Sequence, residues 1–183
     1  MRVETNLALL LQKAGKNMGI FFIADMHFGD DNIRRYENRP FDTLDEMNEK
    51  LINNWNSVVN ADDEVYVIGD IGNEEYIRKL NGKKYLVKGN HDRLSNAEYR
   101  TIGFEEVYDK PILFEDFWIL SHEPVYVNTN MPYANIFGHI HNNPMYKTVS
   151  ARSYCVSVER INYTPISFED IILAVQQEDE RTL

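Results

Sequence analysis

The chain has a single cysteine, Cys155, in 183 residues. No internal disulfide can form, and a cysteine-based zinc site is excluded. Cys155 sits in Tyr154-Cys155-Val156 and reads as a small core residue. Such cysteine usage fits a reducing, cytoplasmic compartment. Positive charge is also scarce: 19 Lys and Arg stand against 29 Asp and Glu, for a formal net charge of -10 and a pI near 4.9. Binding to long nucleic acid needs cations that neutralise phosphates, so this composition argues against it. A small anionic substrate stays open to such a chain if metal ions reverse the local charge. Long apolar runs are missing too, and no membrane partner is expected. The run Leu7-Ala8-Leu9-Leu10-Leu11 resembles a secretory signal but is too short, and Gln12 to Lys16 is a poor cleavage region. Repeats, low-complexity tracts and linkers are absent, so residues 1–183 read as one domain.

A hydrophobic content of 43% is enough for a sizeable core. Val3, Leu7, Leu10, Leu11 and Ala14 recur at helical spacing, with Gly15 as a stop. They predict a short helix over residues 4–14, within an N-terminal extension of residues 1–17. Gly19 to Ala24 is a continuous apolar strand ending in Asp25-Met26-His27. Residues 30–42 read as a long polar loop. Asp42 or Thr43 caps a helix whose apolar stripe is Leu44, Met47, Leu51, Trp55, Val58 and Val59. Glu64 to Ile68 is a second strand, ending in Gly69-Asp70. Asn73 caps a short helix through Leu80. Lys83 to Val87 is a third strand, ending in Lys88-Gly89-Asn90-His91-Asp92, with polar, loop-like sequence behind it. This alternation implies right-handed crossovers and a parallel sheet.

The second half predicts a hairpin of Lys110–Phe114 and Phe117–Leu120, running into Ser121-His122. A strand over Asn135–Phe137 leads to Gly138-His139-Ile140-His141. Another covers Tyr154–Val158. Ser167 with Asp170 opens a last helix, from Phe168 to about Gln176.

The chain has five histidines, at 27, 91, 122, 139 and 141, and all follow a predicted strand within a few residues. One such histidine is ordinarily a turn or surface residue. Five, with Asp25, Asp70 and Asn90 in equivalent places, point instead to a metal site at a sheet edge. Asp25 and His27 flank one residue, so an extended loop can aim both at one ion. These eight groups exceed the needs of one tetrahedral ion; two ions sharing a bridging carboxylate would use them all.

Asp25-Met26-His27, Gly69-Asp70, Gly89-Asn90-His91-Asp92, Ser121-His122 and Gly138-His139-Ile140-His141 resemble the five ordered motifs of the calcineurin-like metallophosphoesterases. The resemblance covers residues 18 to about 158. It implies an α/β fold of two packed mixed β-sheets flanked by helices, with a dimetal site on the loop edge. It implies that Asp25, His27 and His141 hold the first metal, that Asn90, His122 and His139 hold the second, and that Asp70 bridges them. His91 would be the non-ligand histidine facing the substrate. Two departures stand out. Ser121 replaces a common glycine, and Asn73 replaces an aspartate that in some members orients the histidine. An amide supports an imidazolium less well, so His91 holds its proton less readily and serves less well as a general acid.

The implied activity is hydrolysis of a small phosphomonoester or phosphodiester. A hydroxide held between two divalent ions would attack, and His91 would assist the leaving group. The mixed nitrogen and oxygen donors suit manganese, iron, zinc or nickel rather than calcium. Arg39, Asn73 and Arg93 are the candidate contacts to substrate. A non-enzymatic metal-binding scaffold of the same fold is the alternative, but decay should remove ligands and every position is filled. A nuclease is disfavoured by the net charge of -10.

Overall fold

The computed structural model describes residues 18–128, 130–143 and 152–182, with side chains through Gln177. The helix expected over 4–14 and the extension 1–17 lie outside the described residues. The elements are β1 (Ile20–Ile23), α1 (Asp31–Tyr36), α2 (Leu44–Val58), β2 (Glu64–Val67), a 3-10 helix (Glu74–Lys79), β3 (Lys83–Val87), α3 (Asn96–Ile102) and β4 (Phe104–Tyr108). They continue with β5 (Ile112–Phe114), β6 (Trp118–Ser121), β7 (Ala134–Phe137), β8 (Ser153–Cys155), a 3-10 turn (Val158–Arg160), β9 (Ile166–Ser167) and α4 (Phe168–Thr182).

Two mixed sheets carry the fold. One has the order β4-β3-β2-β1-β9, the other β5-β6-β7-β8. In the first, β1 to β4 run parallel and β9 antiparallel; in the second, β6, β7 and β8 run parallel and β5 antiparallel. Aromatic rings pack between them. Phe22 of β1 lies 5.8 Å from Phe114 of β5, and Phe168 at the start of α4 lies 5.4 Å from Trp118 of β6. Burying a large apolar side chain contributes roughly 1.5–3 kcal/mol. The helical stripe foreseen on α2 is real: Met47, Leu51 and Trp55 are buried, and Thr43 caps the helix by accepting from Glu46 N–H at 3.1 Å.

The sheets meet at their carboxyl ends. Ala24 donates to the Val156 carbonyl at 2.9 Å and accepts from Val158 N–H at 3.1 Å. This link diverts the chain after Cys155, so the strand expected over Tyr154–Val158 is shorter. It also sets the loops after β1, β2 and β3 against those after β6, β7 and β8.

Several elements differ from expectation. Residues 31–36 are helical, not loop. Asp30 caps α1 by accepting from Asn32 and Ile33 N–H, but α1 buries no residue, so it leaves no apolar stripe to read. Helix α3 follows His91 where only loop was foreseen; Ser95 and Glu98 form a capping box there. The edge strand β4 hides its period behind Glu105 and Glu106. Strand β9 is only two residues long, and α4 extends to Thr182. The short helix after Asn73 is 3-10.

Candidate metal centre

Five of the site side chains leave the backbone at positive φ: Asp25 (59°), His27 (49°), Asp70 (56°), His139 (70°) and His141 (46°). Such left-handed non-glycine residues each cost of order 1–3 kcal/mol and persist only where the surroundings over-determine them. Close packing supplies that constraint. Gly69 and Gly89 stand back to back, and a Cβ on Gly89 would collide with the Asp70 carboxylate. A Cβ on Gly138 would sit 2.8 Å from Asp25 Oδ2.

Asp25 is fully buried. Its Oδ2 accepts from Ser157 Oγ at 2.6 Å and from His139 N–H at 2.8 Å. Burial pushes its carboxyl up to about 6, against the opposing pull of His141 and His122. Asp25, His27 and His141 each offer a donor atom within 4.8 Å of the others. Burial lowers the His27 imidazole to about 4, so it is neutral at pH 7. Among the described residues only two buried side-chain polar atoms lack a hydrogen bond, and His27 Nε2 is one. A buried lone pair without a donor is costly unless something electropositive faces it.

The second group is tighter. Asn90 Oδ1 lies 3.0 Å from His122 Nε2 and 3.0 Å from His139 Nδ1, and those two nitrogens are 3.2 Å apart. His122 donates its Nδ1–H to the Ile68 carbonyl at 2.9 Å, which leaves the Nε2 lone pair for the site. Three acceptors so close fit one cation. Burial opposes charge on His122, but Asp70 and Asp25 outweigh it and raise the imidazole to about 9. Without a cation, a proton takes that place.

Asp70 stands between the groups. Its Oδ2 is 3.5 Å from His27 Nε2 and 3.3 Å from His122 Nε2. Its Oδ1 accepts from His91 N–H at 2.8 Å. Burial works against its charge, yet His122 and that backbone bond prevail and hold the carboxyl down at about 2. Two clusters of Asp and His side chains, Asp25/His27/His141 and Asp25/Asp70/His122, are thus positioned to hold divalent ions. The residues fit the two metals that the donor pattern called for.

His91 sits at the mouth with its side chain exposed, its ring 5.3 Å from that of His27. A cleft of about 310 Å³ opens there, with α1 contributing Asn32, Ile33 and Tyr36 to its wall.

The three candidate substrate contacts sit in different surroundings. Arg39 is buried beneath the site and donates to the Asp25 and Met26 carbonyls, so its guanidinium cannot reach a ligand in the cleft. Asn73 spends its side-chain oxygen on Glu75 N–H at 3.0 Å, as the cap of the 3-10 helix. Arg93 is exposed on the loop after His91. Sequence reasoning missed Ser157 and Glu159, which line the site from below. Both follow β8, so the rule that polar groups after strands gather at this edge would have found them.

The chain is similar to known proteins in sequence and in fold. The calcineurin-like phosphoesterase family pattern matches residues 18–178. An uncharacterized protein of Methanocaldococcus jannaschii is 34% identical over 171 residues, spanning 86% of this chain and 92% of that one. The gene 66 protein of Mycobacterium phage L5 is 32% identical over 81 residues, 39% of either chain. A crystal structure of a protein of unknown function from Aquifex aeolicus superposes with a TM-score of 0.65 at 26% identity, covering 84% of this chain and 97% of that one.

Proposed function

Since the chain belongs to the calcineurin-like phosphoesterase family, we propose that it hydrolyses a small phosphomonoester or phosphodiester at a centre for two divalent ions. Asp25, His27 and His141 hold the first, Asn90, His122 and His139 the second, and Asp70 serves both. The observation that carries this reading is the place of Asp70 Oδ2, 3.5 Å from His27 Nε2 in one group and 3.3 Å from His122 Nε2 in the other. A carboxylate has two oxygens and a negative charge, so one side chain can serve two cations and offset their repulsion. Bound divalent ions supply Lewis acidity toward phosphoryl oxygens and a hydroxide nucleophile near neutral pH.

The chain's own residues do the rest. Ser157 and the His139 N–H hold the Asp25 carboxylate in place. The Ile68 carbonyl fixes which His122 nitrogen faces the site. His91, exposed at the mouth, donates a proton or hydrogen bond to the leaving oxygen. Its backbone N–H donates to Asp70 at 2.8 Å, which fixes the His91 backbone to the bridging group.

Imidazole, carboxylate and amide donors without a thiolate suit manganese, iron, zinc or nickel. A formal charge of -10 and a cleft of about 310 Å³ favour a small substrate over a polymer. Among the described residues no helix is long and apolar enough to cross a membrane. The lone free thiol, Cys155, is buried, and burial pushes it up to about 11, which accords with a reducing, cytoplasmic compartment.

The test is a panel of phosphate mono- and diesters with the purified protein and added manganese. Turnover that requires the metal and is lost with chelator is expected. No hydrolysis of any ester under manganese loading would leave the scaffold reading in its place.

A further inference from the structure

Two charged side chains lie beneath the first metal group and have no part in the scheme so far. Arg39 comes from the loop after α1 and Glu159 from the turn after β8, 120 residues apart. Arg39 donates through Nη1 to the Met26 carbonyl at 2.8 Å and through Nη2 to the Asp25 carbonyl at 2.6 Å. Its Nε and Nη2 also reach Glu159 Oε1, at 2.8 and 2.7 Å. That same oxygen lies 3.0 Å from His141 Nδ1. The Arg39 side chain is 0% exposed and that of Glu159 3%.

Burying such a pair removes two charges from water, and an apolar pair of the same volume would often be at least as stable. Glu159 Oε2 adds to the cost, since it is buried without a hydrogen bond. Stability alone is therefore a poor reason for these two residues. Orientation is a better one. An imidazole that gives its Nδ1–H to a carboxylate has its ring plane and tautomer set, with the Nε2 lone pair free for a metal. Glu37 also lies within reach of Glu159 and His141. The Arg39 guanidinium already neutralises Glu159, which argues against a third cation there.

We propose that Glu159 and Arg39 are positioning residues for the first metal group. Glu159 sets His141 so that Nε2 faces Asp25 and His27. Arg39 clamps Glu159 to the Asp25–Met26 backbone, so that ligands from two distant segments share one frame. The inference rests on the metal assignment proposed above.

The test is calorimetric titration with Mn²⁺ of the parent, Glu159→Ala, Glu159→Gln, His141→Ala and the Glu159→Ala/His141→Ala double variant. Thermal unfolding in chelator accompanies each. Glu159→Ala is expected to weaken one of two binding steps by about 10–100-fold and to leave the other within about twofold. Glu159→Gln keeps an oxygen for the Nδ1–H and should recover part of the loss. Adding Glu159→Ala to His141→Ala should cost nothing further, because the effect passes through His141. Two steps at parental strength in Glu159→Ala, or both weakened alike, would overturn the proposal. Should Glu159→Ala fail to fold, Glu159→Gln decides: one weakened step supports the proposal and none sinks it. A parent protein that binds fewer than two ions defeats the dimetal reading itself, and this inference with it.

Discussion

The carboxylate of Asp92 accepts the backbone N–H of Asp70 at 2.9 Å, across 22 residues. It also accepts from Ile71 N–H at 3.1 Å and Gly89 N–H at 2.8 Å. Asp92 is not aimed at the cleft. It staples the loop after β2 to the loop after β3, and so holds Asp70 and Asn90 in register. Asp92→Ala strands these buried N–H groups, each of which costs about 1–3 kcal/mol when unpaired. Chemical denaturation of the metal-free variant should show a loss of at least about 3 kcal/mol. A change under about 0.5 kcal/mol, the range of ordinary surface substitutions, would mean the staple is dispensable.

Asp70→Asn keeps the shape of the side chain proposed to serve both ions but removes its charge and turns one end into a donor. After manganese loading, elemental analysis should find both ions depleted in Asp70→Asn. His122→Ala and His141→Ala should each lose one preferentially. Two ions retained by Asp70→Asn at parental affinity would make Asp70 a loop residue only.

His91→Ala is expected to keep both metals and lose turnover. A positioned general acid is worth typically 10²–10⁴-fold. The lower part of that range is expected, because the Asn73 oxygen is committed to Glu75 N–H and Asn73 brings no charge. Loss of metal rather than rate would make His91 a ligand.

The titration of His122 sets a pH dependence. Its imidazole is raised to about 9 in the metal-free protein, against 6.5 as its ordinary value. A raised histidine contributes stability that is fully present below pH 6.5 and lost as pH rises through 9. The metal-free melting temperature should therefore fall from pH 7 to pH 9, and His122→Ala should flatten that fall. Metal must displace the same proton, so Mn²⁺ affinity should rise over this interval with proton release. Calorimetry in buffers of different ionisation enthalpy reads that release directly. Binding without it would place His122 outside the metal group.

Much of this site was legible along the chain because its donors obey one local rule. Each follows a short apolar strand, as Asp25 follows Ile20–Ile23 and Asp70 follows Glu64–Val67. Strand pattern and residue type are local properties, so periodicity and a list of histidines suffice to suggest a sheet edge rich in metal donors. The stripe of α2 was legible for the same reason. Helix α1 was not, since it buries nothing and its Arg34 and Arg35 pair with Asp31 on its own surface. Arg39 shows the deeper limit. In sequence it is one cation in a polar run, as fit for a substrate as Arg93. Its partners, the Asp25 and Met26 carbonyls and Glu159, are assembled only when the two sheets join through Ala24 and Ser157. Whether a charge faces solvent or a buried carbonyl depends on contacts between segments 120 residues apart, and no local pattern encodes them. The same closure brings His27 and His122 to one carboxylate, Asp70, and so makes two groups of donors into one centre.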